Sequence, residues 1–142
     1  MTKTRRERSP LSEHLRTWER NLQWVDENVR SLVVAIDRKI RNDFPRMFGR
    51  PRGRYYCYYR GKPVTKSIFG AFVLTHDYLK IRIMTDPGTF HDRRKWTKEK
   101  IFRNWFFARG QEREFVLTDK KQIEYAMKLL RHSYNLAIEI KK

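Results

Sequence analysis

Arg46, Arg50, Arg52, Arg54, Arg60, Lys62 and Lys66 surround the aromatic block Tyr55-Tyr56-Cys57-Tyr58-Tyr59, and residues 44–76 contain no aspartate or glutamate. Cations interleaved with rings suit a phosphate backbone that carries exposed bases, because guanidinium and ammonium groups pair with phosphates while rings stack on bases or sugars. Arg50, Arg52, Arg54, Arg60 and Lys62 are therefore expected on phosphates. Strand alternation separates Tyr56 and Tyr58 from Tyr55, Cys57 and Tyr59, so only one set can be core, and whichever of Tyr56 and Tyr58 points outward is the expected stacking ring. The competing reading packs all four tyrosines and leaves the arginines solvated. A second basic cluster, Arg93, Arg94, Lys95, Lys98, Lys100 and Arg103, has only Glu99 as a counter-charge before Arg109. It could clamp the same strand or a neighbouring helix. Trp105 is assigned to the core, and Trp96 is left open between core and stacking.

Residues that would carry catalysis are sparse. There is no phosphate-cradling glycine loop, no HExxH helix and no nucleophile elbow. The single Cys57 rules out an internal disulfide, and with four scattered histidines it offers no zinc spacing. Asp77 with Lys80, and Asp86 with Asp92, come nearest to a magnesium grouping, but turn chemistry explains Asp77 and Asp86 more simply. His91 beside Asp92 would be an acid–base pair only if the two faced each other. The expectation is a protein without catalysis, cofactor or metal.

Thirty-three lysines and arginines against 16 acids leave a net charge of +17 on 142 residues, an imbalance that repels itself unless a polyanion neutralises it. With 39% hydrophobic residues the chain can bury a core as one domain, here residues 11–142 behind a basic arm at 1–10. A membrane partner would need an amphipathic basic helix, a lipidation signal or a long apolar span, and none is evident. The basic residues 1–8 lead into no apolar signal core, so a cytoplasmic setting is expected.

The elements that must position these residues follow from periodicity. Leu15, Trp18, Leu22, Val25, Val29, Leu32, Ile36 and Ile40 recur at alternating threes and fours, which predicts a long N-terminal helix, or two with a break, capped by Ser12 and ended by Phe44-Pro45. The same stripe would serve a coiled-coil homodimer, but Trp18 is awkward in such a seam and packing on the chain's own sheet is preferred. Gly49, Pro51 and Gly53 mark residues 47–53 as a loop. Strands are expected at residues 54–60, at 64–74 with Gly70 as a bulge, at 78–84 with Leu79, Ile81 and Ile83 inward against Lys80 and Arg82, and at 114–117. Residues 96–109 carry helical spacing. Asp119 and Gln122 form a capping box for a closing helix whose stripe is Ile123, Met127, Leu130, Tyr134 and Ala137. The sum is an α+β domain: a long N-terminal helix, a mainly antiparallel four-stranded sheet and a C-terminal helix on one face.

Three pieces of this pattern carry a family likeness: Val29-Arg30-Ser31-Leu32 leading to Ile36 and Ile40; the hairpin Tyr58-Tyr59-Arg60-Gly61-Lys62 followed by Leu79-Lys80-Ile81; and Phe115-Val116-Leu117-Thr118-Asp119 with Ile123-Glu124-Tyr125-Ala126-Met127 and Ser133-Tyr134. Across residues 25–137 the chain resembles an uncharacterised family, the domain of unknown function numbered five-six-five-five, some of whose members carry the label "predicted transport protein". The resemblance implies an α+β fold and a setting beside restriction-type or other nuclease domains, and it supplies no catalytic residues. The chain departs from it in the arginine-rich residues 46–60 and the tryptophan-bearing residues 96–107. Transport would need spans that are absent.

The expectation is a non-enzymatic RNA-binding protein of a ribonucleoprotein such as the ribosome, in contact with ribosomal RNA and neighbouring proteins. RNA is preferred to DNA because no helix-turn-helix or zinc finger is readable, while mixed loops with tyrosines suit irregular or single-stranded surfaces. A DNA-processing accessory or degenerate nuclease-associated domain is the alternative, and a protein-interaction module docking through residues 96–107 is a further one.

Overall fold

In the computed structural model, which describes residues 10–99 and 111–138, the apolar stripe that begins at Leu11 is buried throughout, but the backbone beneath it is broken twice. Two single turns, α1 (Glu13–Arg16) and α2 (Glu19–Leu22), precede the longer α3 (Glu27–Asp43). The long N-terminal helix is thus corrected to three pieces. Short helical turns set at an angle keep the same three-and-four rhythm, so spacing could not reveal the breaks. Ser12 caps α1, its Oγ accepting from the Leu15 amide at 3.2 Å. At the second break the Asp26 amide donates to the His76 carbonyl across the molecule. Phe44 closes α3 in an extended conformation, as a residue before proline must. Val29, Leu32, Val33, Ile36 and Ile40 have no exposed surface, so the α3 stripe is buried inside its own chain, as preferred from the sequence.

Six strands, not four, form one antiparallel sheet: β1 (Met47–Arg52), β2 (Tyr55–Arg60), β3 (Ile68–Leu74), β4 (Leu79–Thr85), β5 (Lys98–Glu99) and β6 (Gln111–Leu117), in the order β1-β2-β3-β4-β6-β5. Both additions are edge strands. The segment at residues 47–53 reads as a loop because of Gly49 and Pro51, yet an edge strand tolerates a proline that donates nothing to the ladder. Gly49 is required there, since a Cβ would stand 2.9 Å from the Tyr56 ring and hydroxyl. Gly53, at φ 61°, opens the two-residue connection to β2, where a tight hairpin favours glycine. At the other edge, Lys98 and Glu99 pair with Glu114 and Arg113, so the expected helix does not begin at Trp96. Arg113 holds that chain extended by donating from Nε to the Thr97 Oγ1 at 2.7 Å and from Nη2 to the Thr97 carbonyl at 3.1 Å. The rest of that predicted helix, with Lys100, Arg103 and Trp105, lies outside the described residues, as do residues 1–9 of the arm.

The bulge falls beside Gly70: Tyr58 pairs with Gly70 but Tyr59 with Ile68, which makes Phe69 the extra residue. Asp119 and Gln122 form the predicted capping box, leading through a 3-10 turn into α4 (Ile123–Leu136), whose whole stripe is buried on β3 and β4. Ser133, fully buried, ties helix to sheet by donating to the Phe69 carbonyl at 2.6 Å and accepting from the Met84 amide at 2.9 Å. Among the described residues no helix is long and apolar enough to cross a membrane.

The turn after β4 is also anchored on α4. The Asp86 amide donates to Nε2 of His132 at 3.1 Å, and the Phe90 ring meets the imidazole edge-on at 5.0 Å. An accepting ring nitrogen must be unprotonated, and burial, opposed by Asp86 and reinforced by His91, lowers the His132 pKa from its ordinary 6.5. The unfolded chain therefore binds this proton more readily than the folded one. The stability so contributed is present above about pH 6.5 and is lost as pH falls through the lowered folded value. Imidazole proton shifts should show His132 titrating below the ordinary histidine range, and His132→Gln should flatten the dependence of thermal midpoint on pH between about 7 and 5.

Candidate nucleic-acid interface

Tyr56 and Tyr58 face the helices and have no exposed surface. The Tyr58 hydroxyl donates to Oδ1 of Asp37 at 2.5 Å, Arg41 Nε donates to both Asp37 oxygens at 3.0 and 3.1 Å, and Arg41 Nη2 donates to the Tyr56 hydroxyl at 2.9 Å. Neither ring can reach a base, which corrects the expected stacking role. β2 is covered on both faces: Cys57 and Tyr59 are buried too, and Tyr55 is half-buried. Burial, opposed by Arg41, pushes the Tyr56 hydroxyl up to about 12, and burial joined by the Asp37 charge raises Tyr58 well above its usual value, so both stay protonated. Burial likewise pushes the Cys57 thiol up to about 11 despite Arg52 and Arg50 nearby, leaving a protonated and inaccessible sulfur. The signal for this network was Asp37 itself, an acid set among Val33, Ile36 and Ile40 and four residues before Arg41.

The cations fare differently. Arg46, Arg50, Arg52, Arg54, Lys62 and Lys66 are all exposed. Arg50 and Arg52 alternate with the half-buried Gly49 and Pro51, pair in register with Cys57 and Tyr55, and so project from the face away from the helices. The Arg50 guanidinium lies 5.6 Å over the Tyr59 ring. Two residues apart on a strand is about 6.6 Å, the scale on which an extended backbone repeats its phosphates. Arg54 extends the row at the hairpin turn, while Arg46, whose carbonyl accepts from the Gly61 amide at 2.7 Å, stands with Lys62 at the other end of the ladder. Among the described residues no carboxylate pairs with Arg50, Arg54, Lys62 or Lys66.

Arg60 leaves this group. Its Nη1 donates to the carbonyls of Tyr134 at 3.0 Å and Ala137 at 3.3 Å with the guanidinium 4.5 Å over the Tyr134 ring, so it caps the end of α4. The basic side of β4 is also partly neutralised, since Lys80 lies 3.4 Å from Glu114, and Arg82 lies 3.5 Å from Glu114 and 3.9 Å from Glu112.

Arg93, Arg94, Lys95 and Lys98 are exposed at the opposite edge, on β5 and the loop before it. Five strand spacings, about 24 Å, separate β1 from β5, so the two basic clusters do not form one patch. The loop is pinned by Asp92, which accepts from the Thr97 amide at 2.7 Å, the Thr97 hydroxyl at 2.8 Å and the Tyr125 hydroxyl at 2.5 Å. Burial works against its charge, but the bonds from Tyr125 and Thr97 prevail and hold the carboxyl below its ordinary value. His91 is not among these partners, so the His91–Asp92 pair is not assembled. Of the other two candidate acids, Asp86 serves a turn by accepting from the Gly88 amide at 3.0 Å, and Asp77 pairs with the neighbouring His76 at 2.9 Å. Among the described residues no three His, Cys, Asp or Glu side chains gather in a group that could hold a metal ion. Comparison with known proteins finds no family model, no curated protein and no solved structure that matches this chain.

Proposed function

We propose that this chain is a non-enzymatic nucleic-acid-binding protein, with RNA the favoured polymer and a cytoplasmic ribonucleoprotein the favoured setting, that grips phosphates along the β1 edge. The observation that carries this reading is the set of exposed cations Arg46, Arg50, Arg52 and Arg54 along the β1–β2 edge hairpin, followed by Lys62 and Lys66 in the connection to β3, within residues 44–76 that contain no aspartate or glutamate. A strand edge studded with guanidinium groups, with no helix among the described residues projecting as a groove reader would, suits an irregular or single-stranded backbone better than a duplex major groove.

Salt titration tests it. Six phosphate contacts should give a log–log slope of affinity against salt of about −4 on single-stranded RNA, at roughly 0.7 per contact, and about −5 on duplex DNA. Nuclease treatment of co-purified material should release RNA. Binding with a slope near zero would mean that the basic edge is a solvated surface.

A further inference from the structure

We infer that single-stranded nucleic acid stacks on Trp96 at the β5 edge, with bases entering the two clefts that this ring borders. The inference rests on the reading of the chain as a nucleic-acid binder but concerns a different edge and a different chemistry, bases rather than phosphates. Trp96 is half-buried, backed by the Phe115 ring at 4.7 Å and the Tyr125 ring at 5.8 Å, so it is held rigidly while keeping part of its surface open. On one side it lines a cleft of about 340 Å³ with Tyr78, Lys98 and the Lys80–Glu114 ion pair, and on another a cleft of about 300 Å³ with Arg94, Lys95 and Gln122. Both volumes lie at the small end of ligand clefts, about 300–1,000 Å³, where a single base and its sugar fit.

Polar groups in the second cleft favour a base over a featureless anion. The Gln122 Oε1 is committed to the Thr118 amide at 2.8 Å and the Asp119 amide at 3.1 Å, which leaves its side-chain NH2 without a partner among the described residues. Those donors match the carbonyl and ring-nitrogen acceptors on base edges. Lys95 is held at φ 50°, a left-handed conformation uncommon for a side-chain-bearing residue, with its amide donating to the Asp92 carbonyl at 3.0 Å. That turn sets Arg94 over the Tyr125 ring at 4.7 Å and delivers Trp96 against Phe115 in the next step of the chain. Cations flanking a fixed indole are the arrangement by which single strands are bound without sequence preference. A duplex, whose base faces are hidden, cannot use it.

The test uses the full chain and fluorescence anisotropy with a labelled oligouridylate and with an RNA duplex of equal length. Trp96→Leu keeps apolar bulk against Phe115, and Gln122→Glu keeps the oxygen that caps the turn while replacing the donors. Each should weaken oligouridylate binding about tenfold and leave the duplex nearly unchanged. Lys128→Gln, an equal change of charge on an exposed α4 residue, should weaken both polymers slightly and alike. If Trp96→Leu lowers the thermal midpoint, Gln122→Glu carries the comparison. Wild-type affinity for oligouridylate in Gln122→Glu, or equal losses on strand and duplex, would overturn the inference while leaving the basic β1 edge in place. Failure of the unmodified protein to bind either polymer would overturn both readings.

Discussion

Replacing Arg50, Arg52 and Arg54 together by glutamate is expected to abolish polyanion binding while leaving the fold intact. All three side chains are exposed, two on an edge strand and one in its hairpin turn, so none is itself part of the buried core. The loss of the Arg50 contact with the Tyr59 ring costs about 0.5–1 kcal/mol, and surface substitutions of this kind otherwise stay within roughly 0.5 kcal/mol each. The thermal midpoint should therefore move by only a few degrees. Binding loses three attractive contacts and gains repulsion in their place, together about 3 kcal/mol or more than a hundredfold in affinity. Anisotropy with a single-stranded RNA at fixed salt, alongside calorimetric unfolding, reads both quantities. Substitution of the same arginines by lysine should keep most of the affinity, because the phosphate attraction is chiefly one of charge. Unaltered affinity in the glutamate variant would move the interface to the β5 edge, some 24 Å away.

The second large effect is on stability. Asp37→Ala is expected to cost about 3–5 kcal/mol, because it breaks a buried ion pair from one side only. Asp37 is 2% exposed and takes two bonds from Arg41 and one from Tyr58. Without it a fully buried phenol loses its acceptor and a largely covered guanidinium loses its counter-ion. Against a typical total stability of about 5–15 kcal/mol this is a substantial share. Urea unfolding followed by circular dichroism would measure it, and Tyr58→Phe alone should cost only about 1 kcal/mol, since the Asp37–Arg41 pair survives. Asp37→Leu combined with Arg41→Met should recover most of the loss, because removing both charges removes the unpaired one. Phosphate binding by the folded double variant should match that of the unmodified chain: the network lies on the helix side of the sheet, and Arg50 and Arg52 project from the other. An unfolding free energy for Asp37→Ala within about 1 kcal/mol of the parent would show that water or a neighbouring group replaces the carboxylate.

Features that depend on neighbours along the chain are legible from the residues alone. The Ser12 cap, the stop at Phe44-Pro45, the alternation of Leu79, Ile81 and Ile83 and the Asp119–Gln122 capping box all stand as read, and the bulge read at Gly70 falls one residue away at Phe69, because each is a pattern within a few residues whose physics is local. Features that depend on distant partners emerge only once the elements pack together. Tyr58 is buried because Asp37, 21 residues earlier, accepts its hydroxyl, and Arg60 is withdrawn from the basic row because the Tyr134 carbonyl, 74 residues later, accepts its guanidinium. Residues 47–52 form a strand despite Gly49 and Pro51 only because they fall at an edge, and the two basic clusters, alike in composition, are set on opposite edges by a strand order that no short pattern encodes. Charge and periodicity are sums over residue types and survive any arrangement of the elements, whereas the depth of a ring and the direction of a guanidinium are properties of which elements meet, and that is settled only when the sheet closes on its helices.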